Sequence, residues 1–387
     1  MKKKILSAVI SAVMFVATGC SAGAFNGPAD ENIITATEMA EEMGIGLNLG
    51  NTMEAYDANG CETIEYEWIP VCGSNIPSDY ESRWGAVITT QEIIDGIKAA
   101  GFDTVRIPVF WGNMMENNGK YNINPDYMAR VREIVDYAQN AGLYTVINIH
   151  HFDEFIIRRN SLEDCQEIFT DLWTQIAEEF RDYPYSLVFE GYNEYLGGSQ
   201  FDKNGQLVDP ERADGFKMTN TLNQTFVDAV RVTGGNNSER VLIVSGYWTN
   251  IDLTTSEEFV VPEDKALDRI MVSVHYVDNA VYWSNKIGGQ EWLDYIDGQC
   301  ELLKKAFTDK GIPVFLGETT SIYPRSNFAF DAIHKDSTEC LEIVLNKLDE
   351  YGFVPVLWDT SNNFYDRTTY QIKSESDRVL IAELSEK

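Results

Sequence analysis

The chain has 387 residues, of which 44% are hydrophobic, so it can bury a large core. Its 61 acidic and 30 basic residues give a formal net charge of −31, and such a surface repels phosphate, which argues against a nucleic-acid partner. The same charge keeps a protein soluble and is compatible with a neutral substrate.

The N-terminus has the pattern of an export signal. A basic segment at Lys2 to Lys4 precedes an apolar segment, residues 5–16, which is too short to cross a bilayer. Residues 17–20, Ala-Thr-Gly-Cys, resemble a bacterial lipobox and predict a lipid on Cys20, whereas residues 22–24 fit an ordinary signal-peptidase site. Both alternatives predict a bacterial protein that is extracellular or held at the cell surface or outer membrane, with a membrane link only through Cys20.

Five further cysteines do not indicate a disulfide framework, because their number is odd. Two of them, Cys61 and Cys72, lie in one loop and could pair in an oxidising compartment, although the spacing alone does not establish a bridge. No Cys-x-x-Cys occurs, so a thiolate zinc site is not predicted. The others lie on predicted helices, where we expect buried thiols: Cys165, Cys300 and Cys340.

Strand-like and helix-like segments alternate from residue 44 to the C-terminus. Eight short apolar runs without a helical period predict strands. They span residues 44–51, 103–109, 143–150, 187–193, 240–246, 270–276, 313–318 and 353–359. Amphipathic segments with a 3.6-residue period predict helices between them. These span residues 89–101, 125–142, 161–182, 215–235, 290–311, 336–352 and 374–387.

Strands that alternate with helices in this way favour a closed parallel barrel. An open doubly wound sheet would usually have a glycine-rich phosphate-binding turn after its first strand, and the turn at residues 50–54, Gly-Asn-Thr-Met-Glu, lacks that pattern. We therefore predict an α/β fold, a single (β/α)8 TIM barrel over residues 36–387. A signal peptide (1–20) and a tether (21–35) are predicted to precede it.

The carboxyl ends of the predicted strands carry many polar and aromatic side chains. Because these ends meet at one face of a parallel barrel, the side chains should converge. Three of the four histidines fall there, which core packing alone would not produce. The residues at these ends are Asn48, Arg106, His150, His151, Asn193, Glu194, Tyr247, Trp248, His275, Tyr276, Glu318, Trp358 and Asp359.

Two glutamates, Glu194 and Glu318, each close a short apolar run at such an end. Two carboxyl groups at the same end of a barrel can together cleave a glycosidic bond, one as the proton donor and the other as the nucleophile. Arg106 could hold a catalytic carboxylate ionised or could simply be a buried ion-pair partner. Trp358 could stack beneath a sugar ring or could belong to the core.

Two other kinds of catalysis fit the sequence less well. Three histidines with nearby acids could bind zinc, but His150 and His151 point to opposite faces of a strand and could reach one ion only beyond its end. None of the predicted strands is followed by the Gly-x-Ser-x-Gly elbow of a serine hydrolase. We predict no metal.

The chain resembles glycoside hydrolase family 5, whose barrels carry their acids on strands four and seven. It is most similar to the subfamily 4 branch of endo-β-1,4-glucanases, xyloglucanases and lichenases. The resemblance spans residues 44–360 and rests on GLNLGNTMEA, RWGAVITTQEIIDGIKAAGFDTVRIPVFW, VINIHH, LVFEGYNE, LNQTFVDAVRVTGGNN, SVHY, IPVFLGE and VLWD. It implies the barrel fold, a carbohydrate substrate, and neither a metal nor an organic cofactor.

Matching the motifs residue by residue, the resemblance implies that Glu194 is the general acid/base and Glu318 the nucleophile. Asn48 and Tyr276 are further substrate-binding candidates from their places at strand ends. The resemblance also implies substrate-binding or nucleophile-supporting roles for Arg106, His150, His151, Asn193, His275 and Trp358.

The sequence departs from the family pattern near these residues. The family usually has His-x-Tyr after strand six, with the Tyr touching the nucleophile, whereas Val277 holds that place here. Tyr276 or Tyr282 could substitute, or the contact could be absent. Glu54 stands where the family usually has Asp.

The resemblance, together with the export signal, predicts a monomeric, exported, retaining endo-β-1,4-glucanase. Its substrate would be a plant-cell-wall β-glucan, whether cellulose-type, mixed-linkage or xyloglucan. The charge of Glu318 is expected to raise the pKa of Glu194 until Glu318 becomes an ester. A β-mannanase or exo-glucosidase of the same family, and a non-catalytic surface glycan-binding lipoprotein, are the alternatives.

Overall fold

Eight parallel strands close into a barrel in the computed structural model. The structure describes residues 33–56, 74–116, 118–151, 156–157, 160–194, 200–201, 207–208, 212–280, 283, 286–323, 337–360 and 362–386. The strands are β1 (Gly46–Asn48), β2 (Thr104–Ile107), β3 (Tyr144–Asn148), β4 (Leu187–Glu190), β5 (Leu242–Ser245), β6 (Ile270–His275), β7 (Val314–Thr320) and β8 (Val354–Trp358). Each pairs with its neighbour in sequence, and β8 pairs with β1 to close the ring.

Helices lie between successive strands, with one more before the first strand and one after the last. They are α1 (Ala36–Glu42), α2 (Pro77–Glu81), α3 (Gln91–Ala99), α4 (Pro125–Asn140), α5 (Leu162–Glu179), α6 (Arg212–Val232), α7 (Ile251–Thr254), α8 (Gln290–Ala306), α9 (Ser337–Glu350) and α10 (Glu375–Ser385). Short 3-10 turns occur at Gly235–Ser238, Tyr247–Thr249 and Thr308–Lys310. Two-residue strand pairs form small hairpins outside the barrel, at Gln200–Phe201 with Leu207–Val208 and at Tyr365–Asp366 with Gln371–Ile372.

The sequence signals explain where helices begin and end. Ser161 caps α5, its hydroxyl accepting a hydrogen bond from the Asp164 amide at 3.1 Å within a Ser-x-x-Asp sequence. Gly101 and Gly142 follow α3 and α4 with φ of 100° and 71°, a left-handed conformation that glycine adopts without a Cβ clash.

The barrel interior near the N-terminal strand ends is an apolar cluster separate from the main core. Val146, Val188, Met271 and Phe315 belong to it, together with residues of α1. The main core lies between the strands and the outer helices, where three tryptophans are fully buried. Its tryptophans are Trp111, Trp173 and Trp292.

The predicted fold is confirmed, and each of the eight predicted strands overlaps an observed one. The expected buried thiols at Cys165, Cys300 and Cys340 are also confirmed. No helix within the described ranges is long and apolar enough to cross a membrane. The predictions on residues 1–20, on Cys61 and Cys72, and on Tyr282 lie outside the described residues.

Candidate active site

Glu194 and Glu318 lie together at the C-terminal end of the barrel. Glu194 follows β4 by four residues, and Glu318 lies within β7. One carboxylate oxygen of each, with a ring nitrogen of His275, lie within 4.8 Å of one another. The Glu318 side chain is 7% exposed and the Glu194 side chain 36%, so one acid is enclosed and the other faces the cleft.

A β-bulge in β7 aims Glu318. The pairing of β7 with both neighbours shifts in register between Leu316 and Thr319, and a bulge of this kind redirects the side chains beside it. The intervening Gly317 has no room for a side chain, because a Cβ there would lie 2.8 Å from His275 Nε2 and 3.0 Å from Ser273 Oγ. The glycine of the Leu-Gly-Glu motif is therefore a packing requirement of the site.

Arg106 on β2 holds four residues at once. Its Nε donates to Glu190 Oε2 at 2.7 Å and its Nη2 to Asn193 Oδ1 at 2.7 Å. Its Nη1 donates to Asn48 Oδ1 at 2.9 Å and to Glu318 Oε1 at 3.4 Å. Arg106 is fully buried, so its charge is compensated by groups that are themselves fixed.

Asn48 was predicted to bind substrate, and the structure places it below the cleft instead. Its side chain is fully buried, and its Nδ2 donates to the Gly317 carbonyl at 2.9 Å. Both ends of the amide are thus engaged within the protein, one by Arg106 and one by the β7 bulge. Asn48 lies at the end of β1, under the bulge of β7, where it binds the residue that precedes Glu318. It is therefore a positioning residue for Glu318.

His275 and Tyr276, at the end of β6, each contact a catalytic candidate. His275 Nδ1 lies 2.8 Å from Glu194 Oε1 and 3.8 Å from a Glu318 oxygen. The Tyr276 hydroxyl donates to Glu318 Oε2 at 2.7 Å. Tyr276 has φ of 49°, a left-handed conformation that is uncommon for a non-glycine residue. This backbone turn brings the Tyr276 hydroxyl to Glu318. Tyr276 thus replaces the tyrosine that the family usually has one residue later, where this chain has Val277.

The two histidines after β3 face different surroundings. The His150 ring is parallel to the Trp358 ring, with centroids 6.4 Å apart and an angle of 8°. His151 has φ of 60° and packs edge-on against Tyr56 with centroids 5.1 Å apart. The prediction that His150 and His151 point to opposite faces of a strand does not apply, because β3 ends at Asn148. The two rings contact each other, with centroids 4.7 Å apart.

Burial disfavours the charged form of both carboxyls, and their neighbours then separate the two pKa values. At Glu194 the hydrogen bond and charge of His275, with the charge of Arg106, outweigh burial and lower the pKa below its ordinary value. At Glu318 burial and the Glu194 charge outweigh His275, Arg106 and Tyr276, so the pKa is raised. The site without substrate therefore favours a proton on Glu318, the reverse of the predicted order, because His275 lies closest to Glu194.

Glu194, His275 and Glu318 are close enough to ligate one metal ion. Their surroundings do not fit that role well. The guanidinium of Arg106 lies 3.4 Å from Glu318 and would repel a divalent cation, and Tyr276 already donates a hydrogen bond to the same carboxyl. The donor set fits a carboxylate pair better than a metal centre.

Two lobes of a cleft meet at Glu194. The larger, of about 910 Å³, is lined by Trp358, Ile322 and Thr320 among others, and the smaller, of about 280 Å³, by Trp248 and Asn250 among others. Glu194, Tyr276 and Asn279 line both. A ligand that extends through both lobes would therefore pass Glu194 at their junction.

Sequence reasoning missed two residues that shape the charge of this site. Glu190 is fully buried, binds Arg106 and accepts a hydrogen bond from Ser273 Oγ at 2.9 Å. Asn148 Nδ2 donates to the same carboxylate at 3.1 Å and lies 3.3 Å from His150 Nδ1. The sequence did contain a signal for them, because Glu190 and Asn148 stand in otherwise apolar strands. Polar groups are buried in such strands only when they have hydrogen-bond partners.

Comparison with known proteins agrees with this geometry. The family model described as cellulase (glycosyl hydrolase family 5) matches residues 56–364. Endoglucanase A of Paenibacillus barcinonensis is 33% identical, covering 91% of this chain and 90% of its own length. The xyloglucan-specific endo-β-1,4-glucanase BoGH5A of Bacteroides ovatus is 30% identical, covering 87% of this chain and 68% of its own length.

A solved structure has the same architecture. A GH5-4 broad specificity endoglucanase from an uncultured bovine rumen ciliate aligns with a TM-score of 0.76 at 33% identity, covering 91% of this chain and 98% of that one. The resemblance to the subfamily 4 branch is thereby confirmed. The chain belongs to glycosyl hydrolase family 5, the cellulase family, and is a glycoside hydrolase related to endoglucanases.

Proposed function

We propose that the protein is an exported, retaining endo-β-1,4-glucanase in which Glu194 is the acid/base and Glu318 the nucleophile. The observation that carries this proposal is the proximity of the two carboxyls, whose facing oxygens lie within 4.8 Å. Retaining glycosidases hold their carboxyls about 5–5.5 Å apart, whereas inverting enzymes leave about 6.5–9.5 Å for a water between them. The observed spacing supports direct attack by Glu318 on the sugar.

In the first step Glu318 attacks the anomeric carbon as Glu194 gives its proton to the departing glycosidic oxygen. The glycosyl–Glu318 ester forms, and the C–O bond to the leaving sugar breaks. This step needs a proton on Glu194 and a charge on Glu318, the reverse of the order favoured without substrate. A sugar oxygen beside Glu194 would compete with His275 for that carboxyl, and so favour the protonated form of Glu194 that the first step requires.

Arg106 and Tyr276 stabilise Glu318 once it has lost that proton, through the 3.4 Å ion pair and the 2.7 Å hydrogen bond. In the second step Glu194, now ionised, takes a proton from water, which attacks the anomeric carbon and releases Glu318 as a carboxylate. Asn193 has its Oδ1 held by Arg106. Its Nδ2 would donate to the sugar 2-hydroxyl, a contact that strengthens in the transition state.

The substrate class follows from the relatives and from the cleft. Relatives of this chain are named endoglucanases and a xyloglucan-specific endo-β-1,4-glucanase. The two cleft lobes on either side of Glu194 suit a chain cleaved internally. We therefore propose β-1,4-glucans as substrates, with the protein exported and attached to the cell surface through a lipid on Cys20. Loss of membrane attachment in a Cys20→Ser variant would test the anchor.

Azide tests the assignment of the two acids. Glu318→Ala lacks the nucleophile, so azide should restore cleavage of an aryl β-cellobioside and give the inverted α-glycosyl azide. Glu194→Ala retains the nucleophile, so azide should accelerate turnover of the ester intermediate and give the retained β-glycosyl azide. The anomeric configuration is read by proton NMR. A β-azide from Glu318→Ala, or rescue of neither variant, would refute the roles proposed here.

A further inference from the structure

Asp278 is a buried acid that the proposed mechanism does not use. Its side chain is fully buried, and within the described ranges no basic side chain forms an ion pair with it. Two hydroxyl groups bind it instead. The Tyr323 hydroxyl donates to Asp278 Oδ2 at 2.6 Å, and the Thr320 hydroxyl donates to Asp278 Oδ1 at 3.2 Å. Because a buried acid is costly without such partners, these hydrogen bonds tie Asp278 to one position.

The partners of Asp278 are themselves held by neighbouring elements. Thr320 is the last residue of β7, and Tyr323 follows it by three residues. The Tyr323 amide donates to Ser337 Oγ at 2.8 Å, and its ring packs edge-on against Trp292 of α8 with centroids 5.9 Å apart. The Trp292 indole also donates to the Asp278 carbonyl at 3.0 Å. The side chain and the main chain of Asp278 are therefore anchored to β7 and α8.

Two side-chain contacts join the segment after β6 to β7, and they are two residues apart on each side. The first is the hydrogen bond from Tyr276 to Glu318 Oε2 at 2.7 Å, and the second is that from Thr320 to Asp278. The main chain follows the same pairing, because the Tyr276 amide donates to the Glu318 carbonyl at 2.8 Å. Only Val277, which is buried in the main core, separates Tyr276 from Asp278. A displacement of Asp278 would therefore displace Tyr276 relative to Glu318.

The backbone of this turn depends on outside support. Tyr276 and Asn279 have φ of 49° and 39°, in the left-handed region that is uncommon for non-glycine residues. The Asn279 amide donates to the Tyr276 carbonyl at 2.9 Å and closes the turn, with Asp278 inside it. Such a conformation persists only where the surroundings impose it. The hydrogen bonds of Asp278 with Thr320 and Tyr323 supply that constraint from the side of β7.

We propose that Asp278, held by Thr320 and Tyr323, is a positioning residue that fixes the Tyr276 hydroxyl against Glu318. This inference rests on the proposed function and deepens it, because it assigns a residue that neither the family motifs nor the two catalytic carboxyls identified. Asp278 acts through Tyr276, by keeping its hydroxyl within hydrogen-bonding distance of Glu318 while that acid is ionised.

A double-mutant cycle tests whether this support acts through Tyr276. Tyr323→Phe keeps the ring and removes the hydroxyl that donates to Asp278, and kcat/KM on cellohexaose is measured in the wild type and in the Tyr276→Phe protein. In the wild type Tyr323→Phe should lower kcat/KM about three- to tenfold, as expected for one lost hydrogen bond. In the Tyr276→Phe protein the same change should alter kcat/KM by less than about twofold, because the hydroxyl that Asp278 positions is already absent.

The pH dependence of kcat/KM supplies a readout that a general loosening of the loop would not move. The hydrogen bond from Tyr276 lowers the pKa of Glu318, so weakening it makes Glu318 ionise at higher pH. Tyr323→Phe should therefore move the acidic limb of the profile to higher pH in the wild type. In the Tyr276→Phe protein it should leave that limb unmoved.

Two further variants bound the effect. Asp278→Ala removes both hydrogen bonds, so its loss of kcat/KM should exceed that of Tyr323→Phe but not that of Tyr276→Phe. Tyr365→Phe is the matched control, because it deletes another buried tyrosine hydroxyl, one that donates to the Ile93 carbonyl at 3.1 Å. It should change kcat/KM by less than about twofold both in the wild type and in the Tyr276→Phe protein.

An equal fall on Tyr323→Phe in the wild type and in the Tyr276→Phe protein would overturn the inference, because Tyr323 would then act by packing alone. An unchanged kcat/KM in the wild type would overturn it as well. Both results leave the proposed reaction intact. If the wild type did not cleave cellohexaose, the proposed function would fail and the positioning role with it, so the wild-type rate distinguishes the two failures.

Discussion

The two ends of the barrel interior are built by the same strands and carry opposite chemistry. Near the N-terminal strand ends, Val146, Val188 and Met271 form part of an apolar cluster that packs on α1. Two residues further along each of those strands stand Asn148, Glu190 and Ser273, all buried and polar. Because side chains two apart share a face of a strand, the same inward face changes from apolar to polar within one step.

This difference separates stability from chemistry. At the apolar end every buried methylene stabilises the folded state, and this stabilisation does not depend on the precise geometry of the neighbouring side chains. The polar end gains only if each group finds its partner, as Glu190 does with Arg106 at 2.7 Å and with Ser273 at 2.9 Å. On the inward faces of these three strands the buried polar groups thus lie at the end where a substrate enters, and three substitutions can test that division.

The largest expected effect is on stability, from Met271→Ala at the apolar end. Met271 is fully buried in the cluster beneath α1, so the substitution should lower the free energy of unfolding by about 2–5 kcal/mol through lost burial and a residual cavity. Urea unfolding followed by far-UV circular dichroism measures the change. The kcat on a soluble β-glucan, measured well below the melting temperature, should remain near that of the wild type.

Leu267→Ala provides the control for that prediction. Leu267 lies just before β6 and is 78% exposed, so its truncation should change the free energy of unfolding by no more than about 0.5 kcal/mol. Equal losses in both variants, or a large fall of kcat in Met271→Ala, would show that the two ends of the barrel are not separable.

The fold could be predicted from sequence because each of its elements carries a local signal. Apolar runs and helical periodicity gave the strands and helices, and closure of the barrel then brought the strand ends together without further information. Glu194, Glu318 and His275 converge for that reason. The prediction depended on topology and not on side-chain detail.

The details that sequence could not supply depend on local geometry. The contact of Tyr276 with Glu318 requires a left-handed residue at the end of β6, and Asn48 turned inward because β1 ends under the bulge of β7. The order of the two pKa values was predicted wrongly, since it depends on a 2.8 Å contact between His275 and Glu194 that no spacing in the chain reveals.

A second prediction concerns Glu54, a buried acid at the catalytic end. It is 1% exposed and accepts hydrogen bonds from the amides of Asn51 and Thr52. Burial raises its pKa from 4.5 to about 7, so the folded state holds this proton more tightly than the unfolded state does. Its contribution to stability is present below about pH 4.5 and is lost as pH rises through 7, by up to roughly 3 kcal/mol.

Glu54→Gln removes this titration without removing the side chain. The free energy of unfolding of the wild type minus that of Glu54→Gln should therefore fall by up to roughly 3 kcal/mol between pH 4 and pH 8. Urea titrations at several pH values give the difference directly. Parallel stability curves for the two proteins would contradict a raised pKa at Glu54.

The smallest predicted effect isolates one hydrogen bond at the catalytic end. Tyr276→Phe removes the hydroxyl that donates to Glu318 at 2.7 Å. Hydrogen bonds to charged groups contribute about 1.5–3 kcal/mol, so kcat/KM should fall about 10- to 100-fold. The hydrogen bond lowers the pKa of Glu318. Without it the carboxyl ionises at higher pH, and the acidic limb of the pH profile should move to higher pH.

Tyr365→Phe is the matched control for this change, because it also deletes a buried tyrosine hydroxyl, one that donates to the Ile93 carbonyl at 3.1 Å away from both carboxyls. It should leave the acidic limb unmoved. If Tyr276→Phe lost activity with no movement of that limb, Tyr276 would act by positioning Glu318 alone. The charge of the nucleophile would then be set by Arg106 and His275, which lie 3.4 Å and 3.8 Å from its oxygens.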